Sequence, residues 1–110
     1  MTKPKYQNGI KLFENILNNM QIDSYSILPN VEWLIYQINF ITTSKKVLFT
    51  DEYMITIEFI NNVRDFLKPG DCIYLMGIWQ NVTDSAVVYA DELGIKIGNS
   101  KNISHLIYQN

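Results

Sequence analysis

The sequence predicts a mainly β, single-domain protein in which five short strands form a small closed sheet, preceded by one helix. Three observations favour this class. Apolar residues make up 47% of the 110 residues and charged residues only 18%, so the chain can bury a core. Apolar side chains alternate along several short runs, as in strands. One run near the N-terminus instead has the three- and four-residue spacing of an amphipathic helix.

Composition and charge exclude several classes of protein. The formal net charge of −2 argues against binding DNA or RNA by bulk electrostatics. One cysteine, Cys72, rules out an internal disulfide and is consistent with a reducing compartment. Neither a membrane span of about 20 apolar residues nor the apolar run of a signal peptide is present. We therefore expect a cytoplasmic protein that does not associate with a membrane.

Residues 1–8 are polar and basic, and we expect them to form a flexible tail. The predicted helix covers residues 9–20, with Asn8 as a possible cap. Its apolar face contains Ile10, Phe13, Leu17 and Met20. This face can pack against the core of the domain, or it can dock onto a partner.

The predicted barrel occupies residues 31–97, after a loop at residues 21–30. Residues 31–41 alternate in polarity and predict the first strand, residues 47–50 the second, and residues 53–59 the third. The connections between them are short and polar. Three consecutive strands with tight connections predict a meander.

A short helical turn and a sharp stop follow the third predicted strand. Residues 62–67 fit one helical turn, which Pro69 ends because it biases Lys68 away from the helical region. Gly70 supplies the free backbone dihedral for the turn that follows.

The fourth strand is predicted over residues 72–79 and is apolar on both faces, so both faces are expected to be covered. The fifth strand is predicted at residues 86–90 and continues, through a bend, into residues 93–97. The C-terminal segment, residues 98–110, is apolar enough to pack as a short closing helix.

This order of elements resembles that of bacterial single-stranded DNA-binding proteins, which are OB-fold barrels. The resemblance covers about half of the chain, through Ile57–Phe59, Val63–Leu67, Lys68–Trp79 and Val87–Leu93. The residues that hold matching places are Gly70, Asp71, Ile73, Leu75, Gly77 and Ala90. The resemblance implies a five-stranded, OB-fold-like Greek-key barrel with an added N-terminal helix and a short helical turn between strands three and four.

The family binds single strands in a groove across the second and third strands, where aromatic side chains stack on bases. The residues of this chain that the resemblance places there as nucleic-acid-binding candidates are Trp33, Lys45, Lys46, Phe49 and Tyr53. Three acidic residues, Asp51, Glu52 and Glu58, stand beside this platform and would repel phosphate.

The resemblance and the acidic balance together predict a small accessory protein of DNA replication or repair. It would bind single-stranded DNA weakly and dock onto a polymerase, primase or helicase that supplies positive charge. The alternative is a protein-interaction subunit or homo-oligomer that binds no nucleic acid. The candidate partner-binding residues are Ile10, Phe13, Leu17, Tyr74, Met76 and Ile78.

The sequence predicts no catalytic site. His105 and Cys72 are each the only residue of their type, so neither a metal-ligand cluster nor a Cys–His pair can be assembled. The adjacent pairs Asp51-Glu52 and Asp91-Glu92 lack the spacing of catalytic carboxylates. We therefore expect a non-enzymatic protein without a metal or cofactor.

Overall fold

A computed structural model describes residues 6–30 and 32–109. In chain order the helices and strands are α1 (Tyr6–Asn18), β1 (Ser24–Leu28), β2 (Ile35–Asn39), β3 (Ser44–Thr50), β4 (Met54–Ile55), α2 (Ile57–Val63), β5 (Cys72–Leu75), β6 (Asn81–Val82), α3 (Asp84–Leu93), β7 (Lys96–Gly98) and α4 (Ile103–Tyr108). A 3₁₀ turn, Arg64–Phe66, extends α2.

Five of these strands form one sheet in the order β1-β2-β3-β5-β7. The first three strands make an antiparallel meander, but not the predicted one: the pairing of the first and second predicted strands is confirmed as β2 with β3, whereas the outer strand is β1 and not residues 53–59. The next two run parallel to β3, and their connections contain α2 and α3. Strands β4 and β6 form a separate, two-residue parallel ladder in the connections that leave β3 and β5.

Helices cover both faces of this sheet. Ile35, Leu48 and Ile73 belong to the core beneath α2 and α3. Tyr36 and Phe49 belong to the opposite core, beneath α1 and α4. All four residues of β5 are buried, so the prediction that both faces are covered is confirmed for Cys72–Leu75; the predicted strand was longer, and its last residues, Ile78 and Trp79, lie beyond β5 and are exposed. The molecule therefore has a mixed α/β, three-layer architecture.

The N-terminal helix packs on the sheet of its own chain. Phe13 and Leu17 are almost completely buried, and the Phe13 ring lies 4.9 Å from that of Phe49 and 5.0 Å from that of Tyr74. The helix begins at Tyr6, three residues earlier than predicted, and ends at Asn18. Residues 6–8 of the predicted flexible tail are therefore helical, and its residues 1–5 lie outside the described residues.

The predicted barrel does not form. A five-stranded sheet and an N-terminal helix are confirmed, but β1 and β7 are opposite edges of an open sheet and do not pair with each other. Parallel neighbours need crossover connections, and the predicted third and fifth strands supply them by folding as helices. The structure is therefore α/β rather than mainly β, and an OB-fold is not confirmed.

The predicted third strand ends early because a helix begins directly after Thr56. The Thr56 Oγ1 accepts a hydrogen bond from the Phe59 backbone N–H at 3.2 Å and begins α2. Phe59, Ile60 and Val63 then fall on the buried side of the helix. Of the predicted strand, only Met54–Ile55 pair with another strand.

Residues 86–90, the first part of the predicted fifth strand, lie in the helix α3, whereas the predicted continuation at residues 93–97 overlaps strand β7. Thr83 caps the start of α3 by accepting a hydrogen bond from the Ala86 backbone N–H at 3.1 Å. Ala86 and Ala90, one turn apart, are buried. Gly94 ends the helix with φ at 74°, a left-handed conformation that glycine adopts without strain.

Three further elements were predicted: a loop, a first strand and a closing helix. The predicted loop at residues 21–30 contains β1, which pairs with β2. The first predicted strand begins at Val31, which lies outside the described residues, and its observed extended part is Ile35–Asn39. The predicted closing helix is present as α4.

The predicted stop before β5 is confirmed. Gly70 has φ at 96°, and the buried Asp71 carboxylate accepts hydrogen bonds from the backbone N–H groups of Lys46 and Lys68 at 2.9 and 2.7 Å. These bonds tie the turn to the start of β3.

Candidate functional site

Five apolar side chains are exposed in the connections that follow β3 and β5, and we call them the aromatic patch. Its members are Tyr53, Met54, Ile57, Ile78 and Trp79. Ile78 is 81% exposed, Tyr53 62% and Trp79 51%. Single exposed apolar residues are ordinary on protein surfaces, but a group that includes Trp, Tyr and Met has the composition of an interaction site.

The patch lies beyond the carboxyl ends of two neighbouring parallel strands. Tyr53 follows the end of β3 at Thr50, and Ile78 and Trp79 follow the end of β5 at Leu75. In open α/β sheets ligands usually bind beyond this end of the strands.

Gln80 fastens the two connections together. Its Nε2 donates hydrogen bonds to the Thr50 carbonyl at 3.0 Å and to the Glu52 carbonyl at 2.8 Å. Its Oε1 accepts from the Gly77 backbone N–H at 2.9 Å. The side chain is buried, so these bonds are shielded from water. The backbone beneath the patch is thereby fixed from both strands.

Tyr53 and Trp79 present nearly parallel rings. Their planes differ by 8° and their centroids lie 6.4 Å apart. The Asn81 backbone N–H donates to the Tyr53 carbonyl at 2.9 Å, which holds the two segments in register. The indole also lies over Gly77, where an added Cβ would fall 2.1 Å from the Trp79 Nε1. Any larger residue at Gly77 would displace Trp79.

The surroundings of the patch are acidic. Glu52 and Glu58 are exposed and adjoin Tyr53 and Ile57 in the chain. Asp51 accepts a hydrogen bond from the Tyr6 hydroxyl at 3.1 Å. Burial, and then the Asp51 carboxylate, raise the pKa of Tyr6 to about 12, so this hydroxyl stays a donor near neutral pH.

The structure does not bring the predicted nucleic-acid-binding residues together. Tyr53 is in the patch. Trp33 is half-buried on the α2 side, with its ring edge-on to Phe59 at 5.7 Å. Phe49 is completely buried in the opposite core, so it cannot stack on a base. The proposed platform therefore loses two of its three aromatic members.

The two predicted lysines lie at the other end of β3 from Tyr53. Lys45 and Lys46 are consecutive in an extended strand and so point to opposite faces of the sheet. The Lys46 Nζ donates to the Phe66 carbonyl at 3.3 Å. The Lys45 Nζ is buried without a hydrogen-bond partner. The pair does not form a basic groove beside the patch.

Of the predicted partner-binding residues, only Ile78 is strongly exposed. Phe13, Leu17 and Tyr74 are core residues, and Ile10 and Met76 are half-buried. Trp79 is not among the residues predicted to bind a partner, because in a strand continuing to residue 79 it would alternate onto the same face as Ile73 and Leu75. Gly77 was the available signal that the strand ends before Trp79.

Neither a metal-binding cluster nor a reactive thiol is found among the residues that the structure describes. Residues 6–30 and 32–109 contain no group of three or more His, Cys, Asp or Glu side chains placed to hold a metal ion. Cys72 is buried, and burial raises its thiol pKa to about 12, so it lacks the thiolate character of a nucleophile. Nor is any of the described helices long and apolar enough to cross a membrane.

A groove of about 570 Å³ lies at the β7 edge of the sheet, between α3, β7 and α4. Its apolar lining includes Ile95, Ile97 and Leu106, and its polar lining includes Asp91 and Lys96.

Comparison with protein-family models, with curated proteins and with solved structures found no match for this chain. Function must therefore be argued from the surface itself.

Proposed function

We propose that this protein is a non-enzymatic interaction protein that docks onto a partner protein through the aromatic patch. The observation that supports this is the pair of parallel, exposed rings of Tyr53 and Trp79 above a backbone fixed by Gln80. Rigid aromatic side chains bind at low entropic cost, because little conformational freedom is left to lose.

The patch indicates the chemistry of the partner. Trp, Tyr and Met are enriched in the cores of protein interfaces, where they act as anchors. The exposed acidic residues beside them, Glu52 and Glu58, favour a partner whose apolar anchor is surrounded by Lys or Arg. Such a basic partner fits the expectation of an accessory protein for a polymerase, primase or helicase, which stays a prediction.

The test compares binding by matched surface variants. Trp79→Ala and Ile78→Lys alter the patch, whereas Val88→Lys alters an exposed apolar residue on α3. We expect the two patch variants to weaken partner binding about tenfold or more, as interface anchors do, and the α3 variant to leave it unchanged. The measurement is affinity for a partner recovered with the wild-type protein, at two salt concentrations.

Equal binding by all three variants would contradict the proposal. Circular dichroism and unfolding curves of each variant establish that it is folded. A stronger interaction at low salt would support the basic partner, because exposed charges are screened by salt.

A second candidate function is weak binding of single-stranded nucleic acid. The parallel rings of Tyr53 and Trp79 favour it, because planar aromatic groups stack on bases with about 1–3 kcal/mol each. It predicts quenching of Trp79 fluorescence by an unlabelled oligothymidylate at low salt, measured in a Trp33→Phe background. No quenching and no change in anisotropy of a labelled strand would leave only the protein-docking proposal.

A further inference from the structure

Strand β1 is an open edge of the sheet. It pairs with β2 on one side, and no described strand pairs with its other side. The Phe49 backbone N–H donates to the Leu34 carbonyl, and that of Phe40 to the Thr43 carbonyl, so even-numbered residues of β2 bond to β3. Odd-numbered residues of β2 therefore face β1.

The register then shows which main-chain groups of β1 face outward. Ser24, Ser26 and Leu28 stand opposite the odd-numbered residues of β2 and use their main-chain groups there. By alternation, the N–H and C=O groups of Tyr25 and Ile27 point away from the sheet. Two residues thus offer two donors and two acceptors along one edge.

Within its five residues this edge lacks the features that usually prevent pairing; Asp23 and Pro29, which have such features, flank it directly and limit pairing to β1 itself. Exposed edges are normally short, charged or interrupted by Pro, whereas β1 has five residues, none of them charged or Pro. The opposite edge, β7, has only three residues. Its flanking main-chain donors are occupied, since the Ile95 N–H bonds to the Ala90 carbonyl and the Asn99 N–H to the Asn102 Oδ1.

The edge is also complementary to itself. A two-fold axis through Ser26 places Tyr25 opposite Ile27 of a second copy, and Ile27 opposite its Tyr25. Both pairs are then hydrogen-bonded pairs of an antiparallel ladder, so the outward donors and acceptors of both residues are all used. No other register of β1 against itself pairs all of these groups.

The side chains fit the same arrangement. Tyr25 lies against Tyr36, with ring centroids 6.1 Å apart, and Ile27 stands beside it on that face, 49% exposed. In the pair, each Tyr25 ring covers the Ile27 side chain of the other copy, an aromatic and β-branched combination that stabilises antiparallel strands. The charged residue nearest to β1 in the chain is Asp23. In the dimer the two copies of Asp23 lie at opposite ends of the strand pair, about 20 Å apart, and at this distance salt screens their repulsion.

We propose that two copies of this chain pair through β1, in antiparallel fashion about Ser26, to form one continuous sheet. This pairing is independent of the aromatic patch, which lies at the strand ends rather than at the edge. Because the two-fold axis reverses strand direction, the dimer would present its two patches at opposite ends of the sheet.

Cysteine cross-linking tests the register. In the dimer the two Ser26 residues form a non-hydrogen-bonded pair with Cα atoms about 4.5 Å apart, within the range that a disulfide needs. The two Ser24 residues are separated by about 13 Å along the strands and are out of reach. Both serines are exposed, and the native Cys72 is buried and does not compete.

We expect Ser26→Cys to form a covalent dimer under mild oxidation at least about tenfold faster than Ser24→Cys, because only the first brings its two thiols within bonding distance. Adding Ile27→Lys to Ser26→Cys should slow cross-linking by a similar factor, since a lysine blocks edge pairing. Equal rates for the two cysteine variants, or a monomeric mass by light scattering at millimolar subunit concentration, would overturn the proposal.

Discussion

At the scale of single residues, two tyrosines of the same core differ in what their hydroxyl groups contact. Tyr36 donates a hydrogen bond to the Glu14 carboxylate. The Tyr74 hydroxyl is buried and has no hydrogen-bond partner. A buried polar group without a partner costs free energy, whereas a satisfied one contributes modestly to stability.

The two hydroxyl groups should therefore respond differently to removal. We expect Tyr74→Phe to leave the free energy of unfolding unchanged or raise it by up to about 1 kcal/mol, because it removes an unpaired polar atom. We expect Tyr36→Phe to lower it by about 1–2 kcal/mol, because it leaves Glu14 without its donor. Denaturant unfolding of both variants measures the difference, and a larger loss for Tyr74→Phe would show that its hydroxyl has a partner.

At the scale of elements, α3 shows how local signals compete. Val87, Val88 and Tyr89 have strand propensity, which explains the predicted fifth strand. The helix signals were also present in the sequence: Thr83 as a cap, Ala86 and Ala90 one turn apart, and Gly94 as a stop. Helix formation prevails because it buries both alanines and leaves the two valines on the exposed side.

The cap at Thr83 gives a direct test of this account. We expect Thr83→Ala to lower the free energy of unfolding by about 0.5–2 kcal/mol, because it removes the acceptor for the Ala86 N–H. Thr42→Ala, at an exposed threonine in the turn before β3, is the matched control and should change stability little. Equal effects of the two substitutions on urea unfolding would show that the cap does not stabilise α3.

At the scale of the whole molecule, four buried weak acids, one thiol and three tyrosine hydroxyl groups, should make the free energy of unfolding fall at alkaline pH. Burial raises the pKa of Cys72 from 9.0 to about 12 and that of Tyr6 from 10.0 to about 12. Burial also raises the pKa of Tyr36 and Tyr74. In each case the folded state favours the protonated form more than the unfolded state does.

The contribution of each group to the free energy of unfolding is fully present below its ordinary pKa, 9.0 for cysteine and 10.0 for tyrosine. It is lost as the pH rises towards the pKa of the group in the folded state. We therefore expect the free energy of unfolding to be steady near neutral pH and to fall progressively above about pH 9. Urea unfolding across this range measures the slope, which Tyr74→Phe should reduce. A slope unaffected by Tyr74→Phe would place its hydroxyl in water.

The sequence by itself determined the features that depend on neighbours along the chain. These are the amphipathic helix α1, the stop at Pro69 and Gly70, the doubly covered strand β5 and the closing helix α4. It also identified Tyr53 and Ile78 as candidate contact residues. Local periodicity and turn chemistry suffice for such predictions, because the residues involved lie within a few positions of one another.

Only the tertiary structure decided which strands are neighbours, and with that which side chains are exposed. Phe49, on β3, is buried beneath α1. Alternation alone does not distinguish it from an exposed aromatic residue, because the helix that covers it comes from a distant part of the chain. The parallel alignment of β3 and β5 likewise brings Trp79 beside Tyr53 across the intervening α2. Strand pairing joins residues that are far apart in the chain. Neither the open sheet nor the aromatic patch can therefore be predicted from any single stretch of the sequence.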